Sequence, residues 1–234
     1  MLDSAALRAR LAEVRDRIAR AAGRARRNPS GVRLVAVSKT FSAQHVRIAA
    51  EAGLLDFGEN KVQEGLKKMA DTSDLPLRWH LIGHLQSNKA GKAARFHSIH
   101  SIDAALLLKR VDEAAVAAGR RVDVLLQVDL AREPTKYGAL PDAVGPIFHA
   151  AQGCQAVRVR GLMVLPPSSA DPEGSRPYFS RLRQLRDDLL SDNIAPAMLT
   201  EMSMGMSHDF EIAVEEGATM IRLGSAIFGE RAYG

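Results

Sequence analysis

Lys39 is the residue of this sequence whose position most favours covalent chemistry. It lies two residues after the apolar run 34–37, which is continuous and does not alternate. Such a run predicts a strand buried on both faces, and parallel α/β proteins bind ligands at the carboxyl ends of their strands. Desolvation there disfavours the ammonium form, and a neutral amine attacks aldehydes. Lys39 is therefore a candidate for Schiff-base chemistry, although this heptapeptide alone also fits a solvated strand-end lysine.

Two later segments, rich in serine and glycine, predict an anion site. The first precedes a helix expected to start near residue 208, and the second follows the last predicted strand. Helix N-termini present unpaired N–H groups, and phosphate binding after strands seven and eight recurs in closed α/β barrels. Either segment alone fits ordinary turn and cap residues, but two of them opposite a strand-one lysine favour phosphate. The segments are Ser203-Met204-Gly205-Met206-Ser207 and Gly224-Ser225.

A lysine combined with a phosphate site predicts a phosphorylated aldehyde as the ligand. The compound that fits this description best is pyridoxal 5′-phosphate. Its aldehyde condenses with a lysine amine while its phosphate anchors the other end of the molecule.

Alternating strands and helices must position these residues. Short apolar runs alternate with helical stretches through the whole chain, which argues a parallel sheet with crossover helices, and eight such units argue closure into a (β/α)8 TIM barrel. An open doubly wound sheet is the alternative, but no Gly-x-Gly-x-x-Gly follows the first strand. The predicted strands lie near 33–38, 55–58, 78–82, 97–101, 122–129, 157–164, 197–202 and 219–223. The predicted helices lie near 4–27, 43–53, 60–70, 87–95, 103–119, 140–152, 175–191 and 208–217.

Length and composition suit one barrel domain over residues 1–234. The chain has 234 residues, of which 46% are hydrophobic, and no linker-like segment interrupts it. The single cysteine, Cys154, excludes an internal disulfide and suits a reducing compartment. No signal peptide is visible, and no apolar run approaches the ~20 residues of a membrane span. We therefore expect a cytoplasmic protein without a membrane partner.

The net charge of +5 belongs to the N-terminal segment. Residues 1–31 contain eight arginines and three acidic residues, so the remainder of the chain is neutral. The spacing of Leu7, Leu11, Val14 and Ile18 predicts an amphipathic helix packed on the barrel, with Ser4 as its N-cap. Arginines fill the opposite face without interleaved aromatic residues, which favours a solvated face over a specific nucleic-acid site.

Other titratable residues give weaker signals. The histidines lack metal-ligand spacing and there is no second cysteine, so no metal site is predicted. Absence of Gly-x-Ser-x-Gly argues against an α/β-hydrolase nucleophile. His80 is interpreted as a core histidine with a satisfied ring, whereas His84 lies nearer the mouth and could contact a ligand. Glu59 could act as a base, but a loop carboxylate or helix-start charge is the simpler interpretation.

Taken together, the motifs resemble those of the pyridoxal phosphate homeostasis proteins, a family of pyridoxal phosphate-binding proteins. The resemblance covers essentially the whole chain, and the order and combination of the motifs are highly specific. The matching segments are Ala36-Val37-Ser38-Lys39-Thr40, Phe57-Gly58-Glu59-Asn60, residues 79–89 (WHLIGHLQSNK), Lys136-Tyr137-Gly138, Arg160-Gly161-Leu162-Met163, residues 203–209 (SMGMSHD) and residues 222–229 (RLGSAIFG).

The resemblance implies a barrel like the N-terminal domain of alanine racemase, with an extra N-terminal helix. It implies pyridoxal 5′-phosphate held as a Schiff base on Lys39, and Arg222 beside the pyridine nitrogen. Lys136 matches a position suspected of receiving the cofactor transiently. The implied phosphate contacts are Ser203, Ser207, Gly224 and Ser225, and the implied pocket-lining residues are Asn60, His84 and Met163.

The resemblance also implies a carrier that buffers and delivers pyridoxal phosphate and influences amino-acid and keto-acid balance, not an enzyme with an established turnover. An arginine beside the pyridine nitrogen weakens the ring as an electron sink, and no second domain follows the last strand to supply an acid/base tyrosine. A single-domain amino-acid racemase is the alternative. Apo forms of pyridoxal phosphate-dependent enzymes are the expected partners, and we expect a monomer. A weaker hypothesis is that the arginine-rich helix docks an acidic partner.

Overall fold

Eight parallel strands form a closed barrel in the computed structural model, which describes residues 3–132 and 137–229. Each strand pairs with its sequence neighbours, and the eighth returns to the first. The predicted barrel is therefore confirmed. The strands are β1 (Arg33–Val37), β2 (Asp56–Glu59), β3 (Arg78–Leu81), β4 (Ser98–Ile102), β5 (Val122–Val128), β6 (Val157–Val164), β7 (Glu201–Ser203) and β8 (Met220–Leu223).

Helices cross from each strand to the next around the outside of the barrel. One additional helix precedes the first strand, as predicted, and a single helical turn follows the last. The helices are α1 (Ser4–Arg24), α2 (Ala43–Glu51), α3 (Val62–Asp71), α4 (Ala90–Ala93), α5 (Ala105–Ala117), α6 (Pro141–Ala151), α7 (Arg176–Ser191), α8 (Phe210–Glu215) and α9 (Ser225–Phe228). None of the helices in the described ranges is long and apolar enough to cross a membrane.

Closure of the barrel places the end of β1 beside the end of β8. Val35 pairs with Arg222 and Ala36 pairs with Leu223 in parallel register. Phe41, in the turn after β1, stacks on Phe228 of α9 with ring centroids 4.8 Å apart. The expectation that the phosphate segment after β8 lies opposite the strand-one lysine is wrong. The two segments are neighbours because the eighth strand completes the ring against the first.

The N-terminal helix packs one apolar stripe on the barrel and uses its arginines within the molecule. Leu7, Leu11, Val14 and Ile18 are buried, as their spacing predicts. Ser4 is not the N-cap. Asp3 holds that position, because its backbone is extended and its carboxylate accepts a hydrogen bond from the amide of Ala5 at 2.9 Å. Ser4 is already the first helical residue.

Several arginines of α1 and of the turn after it bond to α8 and the segment that follows it. Arg17 pairs with Glu211 at 2.7 Å and Arg24 pairs with Glu215 at 2.6 Å. Arg27 donates to the backbone carbonyls of Val214 and Ala218. These contacts give part of the basic N-terminal segment a structural role, which weakens the hypothesis that it docks an acidic partner.

Two predicted elements differ from the structure near the C-terminus. The strand predicted over 197–202 contains only three residues, Glu201–Ser203, because a 3-10 turn at Pro196–Met198 occupies its first half. The helix predicted from residue 208 starts at Phe210. The carboxylate of Asp209 accepts the amide hydrogen of Met206 at 2.7 Å, so the chain is still a capped turn at residue 208.

Gly161 marks an irregularity in β6, the strand that lies between β5 and β7. Val124 pairs with Val159, but the next residue, Leu125, pairs with Gly161, so Arg160 is an extra residue in the β6 ladder. A Cβ atom on Gly161 would lie 1.8 Å from the carbonyl oxygen of Glu201. Only glycine lets β6 and β7 approach to their observed distance at this point.

Gly161→Ala is therefore expected to destabilise the barrel strongly, by at least about 2 kcal/mol, because the strands must separate to admit the methyl group. Urea unfolding followed by circular dichroism measures the change. Gly91→Ala is the matched control, since a Cβ there meets nothing within 4 Å. The control should be neutral or slightly stabilising, as expected for alanine replacing a helical glycine. Equal stability of the two variants would contradict the steric argument.

Candidate functional site

The residues singled out by the sequence lie mainly at the C-terminal ends of the strands, which face the same side of a parallel barrel. Lys39 follows β1, Asn60 follows β2 and His84 follows β3. Ser207 lies after β7, and Gly224 directly follows β8. Lys136 lies outside the described residues. The topology therefore collects residues that are up to 185 positions apart in sequence, Lys39 and Gly224, at one mouth.

Lys39 is half-buried in a tight turn at the end of β1. The amide of Ser38 continues the ladder by donating to the carbonyl of Gly58, and the amide of Phe41 closes the turn on the carbonyl of Ser38. Thr40 has a φ of 70°, a left-handed conformation that β-branched residues seldom adopt. This turn fixes the backbone from which the Lys39 side chain extends.

A buried ion pair supports that turn from below. Glu59, the last residue of β2, is fully buried, and one of its carboxylate oxygens lies 2.6 Å from Lys68 Nζ and 2.6 Å from Ser38 Oγ. Lys68 also donates to the backbone carbonyl of Ser38 at 2.7 Å. The interpretation of Glu59 as a loop carboxylate or helix-start charge is wrong, because its strand ends one residue later than predicted and buries its side chain. Glu59 and Lys68 together hold the residue that precedes Lys39.

Lys68 was not recognised from the sequence. It lies on α3 in the same stripe as Val62 and Gly65, at spacings of three residues. A lysine in the buried stripe of an amphipathic helix is the signal that could have identified it, since lysine is almost never fully buried unless paired.

Arg222 of β8 is a buried cation in the barrel interior. Its side chain donates to the hydroxyl of Ser203 at 2.6 Å and to the backbone carbonyl of Val164 at 2.9 Å. Burial lowers the pKa of Arg222 to about 10, against the opposing charge of Asp209. The guanidinium therefore remains protonated at neutral pH. Among the described residues, no carboxylate lies within ion-pair distance of it, so its charge is available to an acceptor on a ligand.

Ser203 occupies a different position from the one the sequence predicted. It is the last residue of β7, fully buried, and its hydroxyl is engaged by Arg222 and by Nδ1 of His100 at 3.0 Å. The side chain lies in the barrel interior because Ser203 still belongs to β7 and not to the loop that follows. We therefore assign Ser203 to the support of Arg222 and not to the phosphate contacts.

Ser207 joins the loop after β7 to the turn after β8. Its hydroxyl accepts hydrogen bonds from the amides of Gly224 and Ala226, both at 3.2 Å. These amides belong to the start of a helical turn and have no partner within it. Ser225, between them, is exposed. The result is a small cradle of one hydroxyl and several backbone N–H groups, which suits an anion.

The turn before α8 is held by the carboxylate of Asp209. Asp209 accepts from the amide of Met206 and, through its other carboxylate oxygen, from the hydroxyl of Ser175 at 2.7 Å. It makes no hydrogen bond to the first amides of α8, so a carboxylate lies beside the helix start at which the sequence predicts an anion site.

The other predicted residues line the mouth and the interior. The ring of His84 stacks on Tyr137 with centroids 3.4 Å apart, and its Nδ1 lies 3.9 Å from a carboxylate oxygen of Asp103. Burial raises the pKa of Asp103, and the charge of His84 opposes that rise. Asn60 packs against Gly83, where a Cβ would lie 2.3 Å from the Asn60 carbonyl oxygen. Met163 is fully buried among the apolar side chains of the barrel interior.

No group of three or more histidine, cysteine or acidic side chains within residues 3–132 and 137–229 is arranged to hold a metal ion.

The Glu59–Lys68 pair predicts a specific pattern of stability changes. Lys68→Met leaves a buried carboxylate without its counter-ion and should cost about 3–5 kcal/mol. Adding Glu59→Gln removes that charge, so the double variant should be more stable than Lys68→Met alone. Chemical denaturation at neutral pH measures both.

Lys67→Met provides the control, because Lys67 is exposed and its ion pair with Asp71 lies at the surface. It should change the free energy of unfolding by less than about 1 kcal/mol. A double variant less stable than Lys68→Met would show that the buried charge is not the source of the loss.

Comparison with known proteins agrees with this geometry. The family described as alanine racemase, N-terminal domain, matches residues 4–232. The pyridoxal phosphate homeostasis protein of Aquifex aeolicus is 43% identical and covers 96% of this chain and 98% of its own length. That of Pseudomonas aeruginosa is 44% identical, with 96% and 95% covered.

A solved structure extends the comparison to three dimensions. PipY of Synechococcus elongatus, determined with pyridoxal phosphate bound, is 40% identical with a TM-score of 0.84, and the match covers 95% of this chain and 100% of PipY. Identity and fold thus agree over nearly the full length of both chains. The chain belongs to the pyridoxal phosphate homeostasis protein family, whose members share the fold of the alanine racemase N-terminal domain.

Proposed function

We propose that this protein binds pyridoxal 5′-phosphate through Lys39 and serves in pyridoxal phosphate homeostasis. The observation that carries the proposal is the pairing of β1 with β8. It brings the strand that leads to Lys39 beside the strand that holds Arg222 and is followed by Gly224. An amine, a buried cation and a cradle of amides are then neighbours, and these are the groups that an aldehyde, a pyridine ring and a phosphate need.

The residues present fit each part of the cofactor. Gly224, Ser225 and Ala226 offer backbone amides to a phosphate, and the hydroxyl of Ser207 can turn from them to the ligand. Arg222 is a buried cation, and no carboxylate in the described ranges contacts it. It can therefore donate a hydrogen bond to the lone pair of a pyridine nitrogen or to an anion. Asn60, His84 and Met163 are proposed to line the rest of the pocket. The relative solved with pyridoxal phosphate bound supports this compound as the ligand.

When bound, pyridoxal 5′-phosphate supplies an aldehyde that reacts with a primary amine. The side chains of this protein determine where that reaction takes place and how the ligand is held. Lys39 provides the amine on a turn fixed by Ser38, Glu59 and Lys68. The bond to Lys39 and the phosphate cradle hold the two ends of the ligand on neighbouring strands.

Arg222 makes this arrangement suit storage more than catalysis. A guanidinium donates hydrogen bonds and does not release its proton, so a pyridine nitrogen facing Arg222 stays unprotonated. Held in this way, the ring would withdraw electrons weakly and would be poorly suited to removing a proton from an amino acid. We therefore propose a carrier that delivers the cofactor to apo-enzymes; the names of its relatives support a role in pyridoxal phosphate homeostasis.

Replacement of the attachment lysine tests the proposal. Purified protein mixed with pyridoxal phosphate should show a visible absorbance band that is lost in Lys39→Ala, because the amine of Lys68, which also lies near the end of β1, is buried and engaged by Glu59 and the carbonyl of Ser38. Borohydride reduction followed by peptide mapping should place the modification on Lys39. Lys92→Ala, at an exposed lysine of α4, is the control and should keep the band. A band that survives in Lys39→Ala, with the adduct on another lysine, would refute the assignment.

The carrier role predicts little turnover. Loaded protein incubated with L-amino acids in deuterated water should exchange their α-protons at a rate close to that of free pyridoxal phosphate. Proton NMR measures the exchange and chiral chromatography measures racemisation. Fast, sustained racemisation of any amino acid would favour the single-domain racemase instead.

A further inference from the structure

Five polar side chains form a continuous hydrogen-bonded chain through the interior of the barrel. Each comes from a different strand, and each is 5% exposed or less. Polar groups in such a position are costly unless every one is bonded. From the N-terminal end of the barrel to the mouth, the members are Asp56, His80, His100, Ser203 and Arg222, hereafter the interior chain.

The distances are those of true hydrogen bonds. Asp56 Oδ1 lies 2.9 Å from His80 Nε2, and His80 Nδ1 lies 3.0 Å from His100 Nε2. His100 belongs to β4 and Ser203 to β7, and β5 and β6 separate these strands in the sheet. The 3.0 Å contact between His100 Nδ1 and Ser203 Oγ therefore crosses the barrel interior.

The chemistry of the two end groups fixes the outer hydrogen bonds of the chain. Arg222 can only donate and the Asp56 carboxylate can only accept, so Ser203 accepts from Arg222 and His80 donates from Nε2 to Asp56. When both rings are neutral, His100 carries its proton on Nε2 and donates to His80 Nδ1, and Ser203 directs its own proton at His100 Nδ1. In this arrangement each ring has one donor and one acceptor.

The charges of the groups around the chain agree with this direction. Burial raises the pKa of Asp56, but hydrogen bonds from His80 and Arg78 outweigh it, and the pKa lies well below its ordinary value. Asp56 is thus a carboxylate, which needs donors. Burial, more than any neighbouring charge, lowers the pKa of His100 well below 6.5, so its ring is neutral and can accept from Ser203.

We propose that His100 is a positioning residue for Arg222: its Nδ1 accepts the Ser203 proton, and this fixes the hydroxyl that orients the guanidinium. Val164 O supplies a second, backbone anchor at 2.9 Å, and the two bonds together set the plane of the guanidinium. The inference rests on the proposed function only in that Arg222 is taken to face the ring of the bound cofactor.

Two polar substitutions of His100 distinguish the contributions of its two ring nitrogens. His100→Asn keeps an acceptor near the Nδ1 position, which faces Ser203, and loses the donor to His80. His100→Gln places its amide nitrogen near Nε2, which faces His80, and leaves Ser203 without a well-placed acceptor. His100→Leu removes both, and Ser203→Ala removes the link to Arg222 by a second route. His149→Leu, at an exposed histidine, is the control.

The first measurement uses protein without cofactor. Nitrogen-15 NMR of the arginine guanidinium N–H groups, assigned with Arg222→Lys, should show slowly exchanging Arg222 signals in the parent, His100→Asn and His149→Leu. Exchange should become at least about tenfold faster in His100→Leu, His100→Gln and Ser203→Ala, because the guanidinium has lost its side-chain anchor. Unchanged Arg222 exchange in folded His100→Leu and Ser203→Ala would overturn the proposal.

The second measurement adds pyridoxal phosphate. Affinity should fall about tenfold, or about 1.4 kcal/mol, in His100→Leu and Ser203→Ala, and the absorbance band of the bound cofactor should shift. His100→Asn should restore both the affinity and the band. Variants that lose Arg222 order but bind and absorb like the parent would overturn its link to the cofactor. Failure of the parent itself to bind would refute the proposed function, while the exchange data would still decide the positioning of Arg222.

Discussion

The parallel pairing of β8 with β1 is the constraint on which the site depends. Hydrogen bonds between the two strands bring Ala36 beside Leu223, so the turn that holds Lys39 and the turn that holds Gly224 become neighbours. The aromatic contact between Phe41 and Phe228 fastens the two turns together above the sheet. An open sheet with the same strands would leave these residues at opposite edges, and no ligand of modest size could reach both.

Closure also creates an interior that side chains must fill. Part of it is apolar, with Leu125, Met163 and Met220 in contact. The rest is polar and is bonded through the interior chain. The Glu59–Lys68 pair lies between β2 and α3, and the second carboxylate oxygen of Glu59 has no hydrogen-bond partner among the described residues. Buried ionic groups of this kind contribute little net stability, because desolvation offsets much of the attraction. Their value here is geometric, since one holds the turn before Lys39 and the other holds Arg222.

In the proposed mode of binding, these two polar systems serve opposite ends of the ligand. The Glu59–Lys68 pair holds the turn before Lys39, and the interior chain holds Arg222. Because both are built on the strands of the barrel and on α3, the groups are arranged before a ligand arrives, which lowers the entropic cost of binding. The proposed carrier would benefit from this arrangement, because it would hold the cofactor firmly without the electron-withdrawing ring that catalysis requires.

The sequence by itself determined the order of the elements, the closed barrel and the neighbourhood of the site. Continuous apolar runs and helical spacing are local properties, so they located all eight strands within a few residues, and they identified the apolar stripe of α1. Local reasoning was wrong where a nearby group intervened: Asp3 caps α1 in place of Ser4, and the Pro196 turn shortens β7.

Only the tertiary structure decided which side chains meet. His100 and Ser203 are 103 positions apart, and Lys68 reaches Glu59 from a helix, so the sequence does not identify the partner in either contact, even though the apolar stripe of α3 signals that Lys68 is buried. The same is true of the closeness of Lys39 to Gly224, which results from closure and not from spacing. Strand and helix formation depend on neighbours along the chain, whereas the bonds inside the barrel depend on how the sheet curves.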